Sequence, residues 1–270
     1  MKPLRQGTFR YYLHIYFMIL VQDLKSKLNY RADFILSIFG MLVVNVVELL
    51  SFWIVYQSCQ NIVGWKYYEI MFLYGFSLLA LSPVQLFFDN NWNLRNYVYD
   101  GFFIRYCLRP INIFFYYISE VFDIKGIGQL VFGIITLVIS SQKLGIHYTP
   151  LKILLLLFYI LSASLIMIAI MNIAAATCFW MTNSGYVMTT AFKLKDYAKY
   201  PVSIFSRVFR FIFTFIIPIG FISYYPSTMF VKASQLSVYT YLTPVVGIFF
   251  FILSYKIWMY GAKNYSGTGT

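Results

Sequence analysis

The chain has 270 residues, 60% of them hydrophobic and 21% aromatic, with only 11% charged. Soluble domains carry roughly 25% charged residues, so this composition leaves too little polar surface to cover a water-soluble particle. Together with a mean hydropathy of +0.71, it places the chain among membrane proteins. The net charge of +12 is scattered over separate segments, which argues against a nucleic-acid footprint.

The chain opens MKPLRQGTFR, and the apolar stretch Tyr11 to Val21 that follows carries His14 and runs into Gln22, Asp23 and Lys25. No small-residue cleavage site succeeds it, so it does not read as a secretory leader. It is too short and too aromatic to span, and it reads as an amphipathic helix at the membrane interface. A soluble N-terminal helix is the alternative.

A hydrocarbon core of ~30 Å takes about 20 apolar residues per helix. Six segments qualify: Phe34 to Ser58, interrupted by Asn45 and Glu48; Tyr68 to Phe88, broken late by Pro83; Ile127 to Ser140; Ile153 to Met181; Val208 to Tyr225; and Tyr241 to Met259. The third is short unless Ile111 to Lys125 feeds into it as one helix. The fifth contains Pro218 and Gly220 and should be kinked or broken. The predicted architecture is all-α, one transmembrane domain over 1–270: N-terminus and interfacial helix at 1–33, six-helix bundle at 34–260, tail at 261–270.

Basic residues set the orientation. With the N-terminus in the cytoplasm, 17 of the 21 Lys and Arg fall inside, leaving Lys66, Lys143, Lys152 and Lys232 outside. The inner set includes Lys193, Lys195, Lys199, Arg207 and Arg210, because Thr182 to Pro201 reads as a second cytoplasmic loop contacting a partner or anionic lipid. Both termini are then cytoplasmic, in the cell membrane. Cys59 falls at the outer face and Cys107 and Cys178 at the inner side, so no intrachain disulfide is expected.

The sequence contains no G-x-x-x-x-G-K-[ST] phosphate loop. Its two histidines, His14 and His147, fall on opposite sides of the predicted membrane, so neither a metal cluster nor a Ser/His/Asp set can be assembled. An enzyme is not expected, nor a cofactor bound by this chain itself.

Glu48 lies about 14 residues into the first span, so ~21 Å along the helix at 1.5 Å per residue. An ionisable group this deep faces protein or a water-filled path by default, and with Asn45 one turn earlier it is a candidate for lining a substrate route. The alternative is a protonated or snorkelling carboxyl. Pro218, Gly220 and Pro226 mark irregular backbone near the outer face, a further candidate for the path.

Between the second and third spans, Asp89 to Asn112 is too long and too patterned for a turn. Leu94, Tyr97 and Val98 at helical spacing, followed by Asp100-Gly101, read as a short helix ended by glycine, and Arg109-Pro110 restarts the chain. Such a helix either docks a cytosolic partner or rests on lipid headgroups.

Several stretches, in order, resemble the six-helix permease subunits of ABC-2 type exporters, in the branch found beside a second permease and an ATPase. They are Gly64-Trp65 with Glu69 and Leu73-Tyr74-Gly75; Asp100-Gly101-Phe102-Phe103 running to Leu108-Arg109-Pro110-Ile111-Asn112; and Tyr200-Pro201 to Arg207, continuing to Ile217-Pro218 and Tyr224-Tyr225-Pro226. The family pattern has acidic residues after the glycine, which Gly101-Phe102-Phe103-Ile104-Arg105 lacks. The resemblance implies half of an export path, a second permease (a paralogue rather than self), and partner ATPase subunits supplying ATP and Mg. It also implies an elbow helix before Phe34, and a coupling helix carrying Leu94, Tyr97, Val98, Asp100, Gly101, Phe103 and Arg109. The rival readings are an ATP-independent secondary transporter, disfavoured by the absence of a visible repeat, and a lipid-handling scaffold.

Overall fold

The computed structural model describes residues 9–29, 31–58, 63–232 and 236–266. Lys2, Arg5, Cys59 and the last four residues of the expected tail lie outside them. Every element among the described residues is helical. In order they are α1 (Phe9–Leu28), α2 (Arg31–Ser58), α3 (Tyr67–Phe87), α4 (Leu94–Tyr99), α5 (Ile104–Cys107) and α6 (Ile113–Ser119). There follow α7 (Lys125–Lys143), α8 (Pro150–Ala176), α9 (Ser184–Ala198), α10 (Arg207–Phe211), α11 (Tyr224–Val231) and α12 (Val238–Lys263).

Five of these are long and apolar enough to cross a membrane: α2, α3, α7, α8 and α12. A bent pair, Arg207–Ile216 with Ile219–Val231, would make a sixth if it counted as one span. Local chemistry explains several boundaries. Thr149 caps α8 by accepting from the Lys152 N–H, with Pro150 in the first turn where its missing donor is harmless. Asn112 caps α6 by accepting from the Phe115 N–H at 3.0 Å.

Pro83 does not break α3, contrary to the expectation from sequence: the helix runs through it to Phe87. Proline removes the N–H that would bond the carbonyl four residues back. Ser82 Oγ donates to that carbonyl, on Leu79, at 3.0 Å, so no buried acceptor is stranded.

The third span also differs. Ile111 to Lys125 is not continuous with it: α6 stops at Ser119 and the chain is irregular until α7. The helix α7 extends instead at both ends, and its 19 residues reach ~28 Å at 1.5 Å each.

At the centre stands α3, buried over most of its surface, with α7 and α8 against it and α12 on α8. Two close approaches need glycine. A Cβ on Gly75 would sit 2.9 Å from the Leu137 backbone N in α7, and one on Gly247 would sit 2.4 Å from the Ser162 carbonyl oxygen in α8. Small residues at such crossings let backbones approach, and packing holds helices together where lipid supplies no hydrophobic drive. By contrast α2 is peripheral and leaves Leu36, Phe39, Val47, Trp53 and Ile54 exposed.

The largest correction concerns Thr182 to Pro201. This segment is α9, packed lengthwise on α8, and not a loop at the α4 end of the bundle. Its start is beside α4, where Arg95 Nε donates to the Thr182 carbonyl. Its end is far along the bundle, where Lys199 reaches Glu48 and Tyr200 packs edge-on against Phe52. Of the charges that mark it as a loop in a hydropathy reading, Lys199 pairs with Glu48 on α2, and Asp196 pairs with Lys195 and Lys199 within the segment itself.

The expected fifth span, Val208 to Tyr225, is broken at Pro218 as its sequence predicts. The α10 helix continues as a π-turn to Ile216, breaks at Ile217-Pro218, and bends by 72°. Both arms gather at the end where α2 turns into α3. Arg210 donates to the Ser203 carbonyl, Thr214 and Tyr225 share a hydrogen bond at 2.7 Å, Tyr224 packs on Trp65, and Lys232 donates to the Gly64 carbonyl at 2.7 Å.

Candidate functional site

A cleft of about 400 Å³ opens among α2, α3, α7, α8 and α9. It follows α3 from Tyr74 to Phe88, ~21 Å of helix at 1.5 Å per residue. The end away from α4 holds Asn45 and Glu48, the two path candidates from sequence, and the structure brings them together. Asn45 accepts from the Tyr74 hydroxyl at 3.1 Å and is 6% exposed. Its amide nitrogen has no partner among the described residues, and leaving a buried donor unmade is costly. Glu48 accepts from Lys199 at 2.7 Å, and Lys199 also lies 3.4 Å from Asp196, itself 3.5 Å from Lys195. Pro218 is not part of this cleft; it is buried at the break after the π-turn.

The end of the cleft near α4 is lined by Phe88, Asp89, Trp92, Asp123, Lys125 and Phe192. The rings of Trp92 and Phe192 meet edge-on at 5.2 Å. Burial, and next the neighbouring Asp123 carboxylate, push Asp89 up to about 6, against the pull of Lys125 and Lys27. Asp123 itself stands 3.8 Å from Lys125.

Beside this end of the cleft, α4 and α5 form a plate rather than a loop. Leu94 and Phe103 are fully buried and Val98 nearly so. Phe103 packs against Tyr106, Tyr117, Phe179, Trp258 and Tyr265, which ties the plate to α6, α8 and α12. Asn90 donates to the Tyr117 carbonyl, and Tyr117 returns a hydrogen bond to the Asn90 carbonyl. Leu94, Val98 and Phe103 are therefore inward-facing supports of the plate. Tyr97 is half-buried, beneath the Arg105 guanidinium. Gly101 takes the left-handed φ of 76° that ends α4, and Asp100 is exposed beside it. Arg109 is exposed, its guanidinium 4.7 Å above the Tyr116 ring. The apolar groups that this plate does present are Tyr99, Phe102, Ile104 and Leu108, at 68%, 62%, 47% and 77% exposure.

The helix α1 is anchored to the same end. Lys27 donates to both Asp23 and the Phe122 carbonyl, and Asp23 accepts from the Phe122 N–H. Tyr12 packs edge-on against Phe115 of α6.

Reasoning from sequence missed Lys195, Asp196 and Lys199 as cleft residues, because charges are read as solvated. It also missed Asp89, Asp123, Trp92 and Phe192. The available signal was Glu48: a buried carboxylate needs a cation, and the lysines of Thr182 to Pro201 were candidates.

The model of the ABC-2 family transporter proteins matches residues 42–269. That covers the plate and all of the cleft lining except Gly40 and Met41, and the chain belongs to this family. It is a multi-pass membrane protein of the transporter class. No curated protein and no solved structure matches it.

Proposed function

We propose that the chain is the permease subunit of an ATP-driven exporter, forming half of a translocation path and moved by separate ATPase subunits that carry ATP and Mg. The observation that carries this reading is the plate. It presents Tyr99 and Phe102 outward while its buried Phe103 is packed onto the ends of α8 and α12. A push on the exposed rings would be passed to two long helices without being absorbed by a soft loop. The cleft gives those helices something to open and close, shifting a two-state equilibrium between access to one side and access to the other.

In this reading six helices cross the cell membrane: α2, α3, α7, α8, α9 and α12. The bent pair α10–α11 is a re-entrant hairpin at the outer face, where its irregular backbone is covered by protein. Both termini are cytoplasmic and α1 is the interfacial elbow. With α9 taken out of the cytoplasm, twelve basic residues stay at the inner edge and six at the outer, so the bias that sets orientation survives. A second permease, a paralogue of this chain, would complete the path within membrane lipid.

The test is co-purification of the tagged full chain, expressed with the ATPase and permease genes beside its own. Recovery of a nucleotide-binding subunit supports the proposal. A chain inserted in the membrane that brings down no such subunit under any nucleotide condition overturns it.

A further inference from the structure

The cleft has an unbalanced set of charges. Four carboxylates line it (Glu48, Asp89, Asp123 and Asp196) against three ammonium groups, those of Lys125, Lys195 and Lys199. Among the described residues the cations are all engaged: Lys199 with Glu48 and Asp196, Lys195 with Asp196, and Lys125 with Asp123. Lys27, the remaining cation near Asp89, is held by Asp23 and the Phe122 carbonyl. Asp89 makes no ion pair among the described residues, and it stands with Phe88 and Trp92 on the cleft wall. A carboxylate beside aromatic faces is the chemistry that recognises organic ammonium groups. Further along the cleft, Leu78, Leu81, Met167 and Met171 supply an apolar wall, and the Asn45 amide, 6% exposed, offers an unspent donor.

We propose that the cleft binds an amphipathic organic cation, its charge held at Asp89 against Phe88 and Trp92, its apolar body lying along α3 toward Asn45. That the bound molecule is cargo rests on the transport reading; that it binds does not.

Binding of a cation favours the ionised form of Asp89. The group holds its proton until about pH 6 because of burial and the facing Asp123, with Lys125 and Lys27 opposing. Affinity is therefore full above that value and falls as pH drops through it.

The experiment is equilibrium binding of rhodamine 6G, a lipophilic cation, to the full chain in zwitterionic lipid nanodiscs, read by anisotropy with empty discs subtracted. Dodecyltrimethylammonium should displace it, and dodecanol should not. Asp89→Asn should weaken binding about tenfold, 1.4 kcal/mol, and flatten the loss seen between pH 7 and pH 5. Asp89→Glu, which keeps the charge, should restore affinity to within about threefold. Gel-filtration profile and melting temperature identify variants that fail to fold. Unchanged affinity in folded Asp89→Asn, or equal displacement by dodecanol, overturns the proposal. No ATPase is present in this assay, so its failure leaves the permease reading standing, and a failure to recruit ATPase leaves this site standing.

Discussion

Lys199 places its ammonium group 2.7 Å from the Glu48 carboxylate, joining side chains 151 positions apart. The two are only 13% and 29% exposed. This contact ties the end of α9 to α2, and it turns an isolated charge on α2 into half of a pair.

Removing one partner of a buried pair leaves the other uncompensated. Lys199→Met should lower stability by about 1–3 kcal/mol, read as a fall in melting temperature in nanodiscs. The double variant with Glu48→Gln should recover part of that loss. Strictly additive losses would show that the two side chains do not interact.

The crossing of α8 and α12 should be intolerant of a single methyl group. Gly247→Ala puts a Cβ 2.4 Å from the Ser162 carbonyl oxygen, whereas Gly40→Ala meets nothing within 4 Å. Overpacking against backbone costs about 1–3 kcal/mol. Gly247→Ala should reduce yield and melting temperature while Gly40→Ala changes neither; equal behaviour would place the two helices further apart.

The plate separates contact from support. Tyr99→Ser with Phe102→Ser should abolish recovery of the ATPase and leave the melting temperature within a degree or two. Phe103→Ala should lower the melting temperature first, since truncating a fully buried phenylalanine costs about 3–5 kcal/mol. ATPase recovery untouched by the exposed pair would put the docking surface elsewhere.

The position of the bent pair is open to labelling. In a background with Cys59, Cys107 and Cys178 replaced by serine, Arg210→Cys should react with a membrane-impermeant maleimide added outside intact cells, and Tyr99→Cys only after lysis. Labelling of Arg210→Cys only after lysis would return that segment to the cytoplasmic side and remove the re-entrant hairpin.

The tie between α1 and the Phe122 backbone should be separable from insertion. Asp23→Ala removes the acceptor for both Lys27 and the Phe122 N–H. A Tyr12→Cys/Phe115→Cys pair, which the native packing brings together, should then crosslink several-fold less efficiently, with the chain still in the membrane fraction. Undiminished crosslinking would show that aromatic packing alone holds α1.

One-dimensional information was enough for the apolar helices. Runs such as Phe34 to Ser58 and Ile153 to Met181 declare themselves because a bilayer demands continuous apolar length, and length and composition are properties of sequence. The family was legible for a similar reason, since turn and cap residues such as Gly101 and Asn112 act within a few positions. The same local reading failed at Pro83, where a neighbouring serine replaces the missing donor, and at Phe103, where apolar spacing gives a face but not its direction. It failed most at Lys195, Asp196 and Lys199. Whether a charge lies in water or in a membrane-depth cleft depends on what other helices place opposite it, and Glu48 became that partner only when α2 and α9 were brought together. Sequence by itself determined where most of the long apolar runs lie and which family the chain belongs to. Tertiary structure alone decided which polar groups they enclose, because neutralising a charge takes a partner within a few ångströms, and distance along the chain carries no record of that.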